Sequence, residues 1–155
     1  MRRKDREVAA MADIIEIMAR CDVCRLAFAV ENIPYIVPMN FGMDYQDDRL
    51  TLFFHSAKSG KKLDMLAANP SVCFEMDGQH HLVTGEKACD YSMTYESIIG
   101  YGKLSVCDEK EEKIHGLRQL MINYGRKENN QFSENALNSV TVLKLDVEKI
   151  TGKRK

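Results

Sequence analysis

Lys61 and Lys62 follow Gly60 at a point where the residues before read as a strand and the residues after as a helix. A helix start carries roughly +0.5 of an elementary charge from its unpaired backbone N–H groups, so carboxylates belong there and ammonium groups do not. A phosphate resolves the conflict: the N–H groups, both lysines and the hydroxyl of Ser56 would then converge on one dianion. His55 lies at the strand's exit beside that anion. Histidine exchanges a proton near neutrality, so in this position it would serve as a proton donor to a bound molecule. The plain alternatives are lysines extended into water and a histidine hydrogen-bonded at a rim.

Other reactive side chains offer less. Cys21 and Cys24 are two residues apart, but a thioredoxin-like pair needs a helix after it. Here an alternating run, Cys24-Arg25-Leu26-Ala27-Phe28-Ala29-Val30, follows instead. Zinc would require a second ligand pair, and His80, His81 and Cys89 are not spaced as one, so buried thiols and no metal are expected. Ser97 has no evident base or orienting acid, which leaves hydrolysis unsupported. Neither a Gly-x-Gly-x-x-Gly run nor a P-loop occurs, so the phosphate site would be a lysine-assisted helix start.

The elements that must position these residues follow from periodicity. An amphipathic helix is expected over residues 7–20, with Met11, Ile14, Ile15 and Met18 on one side. Strands are expected over 24–30 and 34–41, joined through Glu31-Asn32-Ile33, with Asp47-Asp48 marking the next turn. In Leu50 to His55, Leu50, Leu52 and Phe54 share one face and Thr51, Phe53 and His55 the other. The helix after Gly60 ends at Asn69-Pro70. Val72 to Asp77 alternates as a strand, and Asp77-Gly78 with His80-His81 reads as a polar turn. A long strand over 93–107 is interrupted by Gly100 and Gly102, which would admit a bulge, another backbone or a flat ring. A helix over 109–124 carries Ile114, Leu117, Leu120, Met121 and Tyr124 at helical spacing, with Asp108 as its cap. Residues 126–138 read as a polar surface loop with a short helical turn, and Val140 to Ile150 as a closing strand. Six strands with few helices point to a mainly β fold, an antiparallel barrel whose closure removes exposed edges.

Composition fits a single domain over residues 1–155. At 155 residues and 45% hydrophobic content, the chain is large enough to bury a core without disulfides. Its 22 basic and 23 acidic residues argue against nucleic acid as a partner. Five cysteines, an odd number, without an apolar leader suit a reducing cytoplasm. No stretch approaches the roughly 20 apolar residues that cross a membrane. The basic ends, Arg2, Arg3, Lys4 and Arg6 at one and Lys153, Arg154 and Lys155 at the other, read as solvated tails.

Five segments in order carry a resemblance. They are Met1-Arg2-Arg3-Lys4-Asp5-Arg6, Pro38-Met39-Asn40-Phe41-Gly42, Phe54-His55-Ser56-Ala57 with Gly60-Lys61-Lys62, Ser97-Ile98-Ile99-Gly100-Tyr101-Gly102, and Thr151-Gly152-Lys153. Together they resemble the 5-nitroimidazole-resistance branch of the pyridoxamine 5'-phosphate oxidase-like, flavin-binding split-barrel proteins. The resemblance implies a six-stranded antiparallel split barrel and a homodimer, with one FMN in each of two clefts at the interface and FAD as the alternative cofactor. It places the phosphate on His55, Ser56, Lys61 and Lys62, and the ring along Pro38, Met39 and Asn40, with a polar flavin contact at Ser97. The arginines that the oxidases proper use for phosphate and substrate are missing at the matching places, which speaks against pyridoxamine phosphate oxidation. The implied function is a flavin-dependent oxidoreductase. A nicotinamide or other donor reduces the flavin, and hydride passes to a small planar acceptor of nitroimidazole type. The alternatives are a non-catalytic flavin- or haem-binding storage barrel and a deazaflavin-using reductase.

Overall fold

The computed structural model describes residues 3–125 and 130–155. Alternation builds the first hairpin: β2 (Cys24–Val30) buries Cys24, Leu26 and Phe28 and turns Arg25 and Ala29 outward. It returns through Glu31 and Asn32, at φ 52° and 63°, into β3 (Ile33–Met39). Two successive left-handed residues make the turn whose twist matches that of paired strands. The same device, Asp47 and Asp48 at φ 50° and 60°, joins β4 (Gly42–Gln46) to β5 (Arg49–Ser56). The remaining strands are β1 (Glu7–Val8), β6 (Ser71–Val83), β7 (Ser92–Val106) and β8 (Thr141–Arg154), and the helices are α1 (Met11–Ala19), α2 (Lys61–Ala68), α3 (Lys110–Asn123) and α4 (Glu134–Ser139).

The strands form one sheet in the order β3-β2-β6-β7-β8-β5-β4, with β1 added beside β8. Its two ends, β3 and β4, are consecutive in sequence and separated only by Asn40 and Phe41. From Met39 to Gly42 the chain advances three residues and reaches at most about 11 Å, so the sheet must curl until its ends meet at that corner. No ladder joins them among the described residues, which makes this a split barrel rather than a closed one. Phe28, Phe41, Phe54 and Phe74 lie wholly buried inside, with Ile17 and Met18 supplied by α1. Each such burial contributes about 1.5–3 kcal/mol. Eight strands appear where six were expected. The additions are β4 and the two-residue β1.

β1 also shortens the first helix. Glu7 and Val8 pair with Lys153 and Gly152, and α1 starts only at Met11. Of the expected face, Ile14 and Met18 are buried and Met11 and Ile15 half-buried, and Ile17 joins the buried set. The basic C-terminus is no tail. β8 runs to Arg154, and the Lys155 N–H donates to the Tyr95 carbonyl at 2.9 Å. Arg154 Nε donates to buried Glu96 at 2.6 Å, and Arg20 grips the same carboxylate at 2.8–3.0 Å, fastening α1 to β7 and β8.

Gly100 and Gly102 meet both sequence expectations. The register slips between Tyr101 and Gly102, and an added Cβ at Gly100 would stand 2.3 Å from the Phe74 ring. His80 and His81 lie within β6, at a bulge where Gln79 takes φ 54°, so the expected turn is a strand irregularity. Glu109 rather than Asp108 occupies the N-cap of α3, and its side chain makes no capping bond. Residues 126–129 of the expected loop lie outside the described residues; beyond them, Ser133 caps α4 by accepting from the Ala136 N–H at 3.2 Å.

Cys21, Cys24 and Cys107 are buried, and none of the five cysteines is in a disulfide. Burial, the largest influence on each, pushes the thiol of Cys21 up to about 11 and that of Cys107 to about 12, and raises Cys24 as well. These thiols therefore stay protonated and unreactive at neutral pH. Among the described residues no cluster of three His, Cys, Asp or Glu could hold a metal. Brief alkylation of the native protein should modify exposed Cys89 first and leave Cys21, Cys24 and Cys107 untouched until denaturant is added, as read by intact mass and peptide mapping. Early labelling of Cys21 or Cys24 would contradict this packing.

Candidate functional site

The helix start singled out by the two lysines is present and open. Gly60, at φ 137°, occupies the N-cap of α2, and no side chain caps it. Only glycine adopts that backbone conformation without strain. The Gly60 carbonyl accepts from Leu63 N–H at 2.8 Å and Asp64 N–H at 3.3 Å, so the N–H groups of Lys61 and Lys62 precede the first intrahelical donor. Lys61 is exposed, its ammonium 4.7 Å above the Tyr35 ring of β3, and Lys62 is half-buried. Asp64 supplies the acid of this first turn, yet among the described residues neither lysine forms an ion pair. Ser56 is buried, and its hydroxyl donates to the Ala57 carbonyl at 2.7 Å. Of the four side chains expected to meet a phosphate, the two lysines lack a carboxylate partner among the described residues, the serine proton is engaged by its own loop, and His55 at the end of β5 is exposed.

His55, five residues before Gly60 in the chain, also lines a cavity of about 360 Å³ with Asn40, Leu117, Leu120, Met121, Tyr124 and Phe132. The cavity exists because α3 lies flush on the outer face of β4, β5 and β8. An added Cβ at Gly42 would stand 2.3 Å from the Leu120 nitrogen, and one at Gly116 would stand 2.7 Å from the Phe53 ring. Three polar links fix the helix in place: Lys144 Nζ with Glu112 at 2.5 Å, His115 Nε2 with Asp44 Oδ2 at 2.8 Å, and the Tyr124 hydroxyl. Among the described residues the lining contains no carboxylate, lysine or arginine; its polar groups are Asn40, His55 and the Tyr124 phenol. Sequence reasoning placed Leu117, Leu120, Met121 and Tyr124 on one helix face but not against His55. Their spacing names the apolar face without naming what it covers.

The expected site residues divide into two groups. Asn40 and His55 share the cavity, and Ser56, Lys61 and Lys62 follow His55 around the loop into α2. Pro38 is exposed opposite Arg25, while the Met39 side chain is buried in the core, so only its backbone faces this region. Ser97 stands apart. His55 pairs with Val142 and Ser97 with Lys153, and along β8 those partners lie eleven residues apart. At 3.3 Å per residue this is about 36 Å of strand. Ser97 lies on the outward face of β7, in a row with exposed Met93, Ile99 and Tyr101.

Comparison with known proteins agrees with this architecture. The sequence profile of the pyridoxamine 5'-phosphate oxidase family matches residues 11–154. A proposed 5-nitroimidazole antibiotic resistance protein from Bacteroides thetaiotaomicron is 36% identical, with a TM-score of 0.82 over 96% of this chain and 86% of that one. The FAD- and haem-binding protein of Mycobacterium smegmatis shares the fold at 17% identity, with a TM-score of 0.82 over 97% of this chain and 73% of that one. A flavocytochrome from Azotobacter vinelandii does so at 13% identity, with a TM-score of 0.81 over 100% and 72%. No curated protein matches the sequence. The chain belongs to the pyridoxamine 5'-phosphate oxidase family of split barrels. Among its described residues no helix is long and apolar enough to cross a membrane.

Proposed function

We propose that this protein is a flavin-dependent oxidoreductase that holds FMN between the start of α2 and the corner joining β3 to β4. A small, planar, uncharged acceptor of nitroimidazole type would lie against the ring. The observation that carries this reading is the pair of lysines without carboxylate partners at an uncapped helix start, joined by a short loop to His55, which with Asn40 lines an apolar cavity. An anionic tail with a flat, mostly apolar head matches both halves of that arrangement. FMN, when bound, supplies the hydride chemistry.

The chain's own residues do the rest. Lys61, Lys62 and the first N–H groups of α2 bind the phosphate, and the backbone of Pro38, Met39 and Asn40 borders the ring. Leu117, Leu120, Met121 and Phe132 exclude water. His55 holds the proton that a reduced acceptor oxygen takes up. Leu117, Leu120, Met121 and Phe132 offer an apolar surface that suits a neutral heteroaromatic. The similarity to the resistance protein supports the nitroimidazole class, and a nicotinamide is the proposed donor.

A homodimer belongs to the same reading: Ser97, eleven residues along β8 from the partner of His55, would meet the flavin held by a second copy. Ile36, Ala27, Cys73 and Tyr101 are directly paired across β3, β2, β6 and β7 and form an outward stripe suited to burial against that copy. The purified protein should show the flavin's visible absorption, or acquire it with added FMN. It should elute at twice the 17.7 kDa of one chain, and its reduced flavin should be reoxidised by a nitroimidazole in stopped flow. A protein that takes up neither FMN nor FAD sinks the proposal; one that binds flavin but never passes electrons on is a storage barrel.

A further inference from the structure

The hydroxyl of Tyr124 joins two distant segments. It donates to the Asp22 carbonyl at 2.6 Å, and it accepts the Phe41 N–H at 3.3 Å, 83 residues away in sequence. A phenol offers one proton and an acceptor oxygen, and here both are used. The location gives the contact its interest. β3 ends at Met39 and β4 begins at Gly42, so Phe41 belongs to neither strand, and its amide would otherwise be a half-buried donor without a partner. The Phe41 side chain is wholly buried, while Asn40, immediately before it, lines the cavity. The Tyr124 ring forms part of the same cavity wall.

We infer that Tyr124 is a positioning residue for the flavin ring. Its hydroxyl locks the backbone of the Asn40-Phe41 corner in the orientation that borders the isoalloxazine, while its own ring closes the cavity from the α3 side. This inference rests on the flavin reading above and adds a role that neither the helical spacing nor the lysine pair announces. It also separates two kinds of binding contribution. Lys61 and Lys62 act on the phosphate alone; Tyr124 acts on the ring alone.

The test compares FMN with riboflavin, which has the same ring and no phosphate. Tyr124→Phe keeps the aromatic wall and removes the latch. Loss of one hydrogen bond, with a buried amide left unpaired, should raise Kd by about five- to tenfold. The rise should be the same for riboflavin and FMN. Hydrogen exchange supplies a second readout without flavin: the Phe41 amide should be protected in the wild-type protein despite lying outside any ladder, and should exchange faster in the variant. A lowered melting temperature with both Kd values within twofold of wild type would make Tyr124 a structural peg only and overturn the inference. Weakening confined to FMN, or an unprotected Phe41 amide in the wild type, would overturn it as well. A wild-type protein that binds neither flavin overturns the flavin reading itself, and this inference with it.

Discussion

The Lys61→Ala, Lys62→Ala double variant should bind FMN about 10²- to 10⁴-fold more weakly than the wild type, because each charge-assisted contact contributes about 1.5–3 kcal/mol and 1.4 kcal/mol is a tenfold change. Riboflavin affinity should stay where it was. The sign of the effect on the unliganded protein is equally diagnostic. Ammonium groups at a helix start are unfavourable by about 0.3–1 kcal/mol each. Against this, Lys61 recovers about 0.5–1 kcal/mol from its place over Tyr35. The unliganded variant should therefore melt within a few degrees of the wild type, as few local changes that weaken ligand binding so strongly would. Titration by flavin fluorescence, paired with thermal melts, measures both. Unchanged FMN affinity would remove the phosphate from this helix even if the fold and the cavity stand.

The second large effect concerns stability. Glu96 is buried on β7 and receives Arg20 from the end of α1 and Arg154 from the end of β8. Glu96→Ala leaves two guanidinium groups facing each other without the carboxylate they share, Arg20 keeping its exposed partner Glu16. Because the Arg20 and Arg154 side chains are 32% and 42% exposed, the cost belongs at the lower end of the range for a broken buried pair, about 3 kcal/mol. For a chain of this size that is a fall of roughly 6–12 °C in melting temperature. The pH dependence has a definite sign. Burial pushes the Glu96 carboxyl up, but the hydrogen bonds from Arg20 and Arg154 outweigh it, so the folded value lies below the ordinary carboxylate range. Its contribution is complete above the unfolded value of about 4.3 and disappears as pH falls through the lower folded one. Wild-type protein should therefore lose more stability than Glu96→Gln on going from about pH 5 to about pH 3. Parallel losses in the two proteins would show that the carboxylate is not held as described.

Much of the barrel was legible because burial on one side imposes a period of two. Leu50, Leu52 and Phe54 face the core as their alternation requires. Phe53, on the opposite face, is buried too, because α3 covers that side of β5, and a one-strand pattern carries no record of a second layer. β4 escaped notice for a related reason. Gly42-Met43-Asp44-Tyr45-Gln46 is short and lies at a sheet end, where little burial enforces alternation. β1 has two residues, too few for any period, and its partner is at the other end of the chain. The lysine pair was readable from charge at a helix start alone. The cavity was not, because it depends on α3 coming flush against Gly42, a contact between residues some 80 positions apart. Ser97 shows the converse. Resemblance grouped it with the other expected flavin contacts, whereas the register sets it eleven residues along β8 from the partner of His55.

The pairing of β1 with β8 has a consequence for how the chain is assembled. Glu7 meets Lys153 and Val8 meets Gly152, so the first strand has nothing to pair with until the last has been laid against β7. Two residue pairs spanning nearly the whole polypeptide gain too little to offset the entropy of so large a loop, so they follow the barrel's completion and do not guide it. During vectorial synthesis the opening segment thus waits, unmatched, for everything after it. In the finished molecule the same seam is where fraying would start.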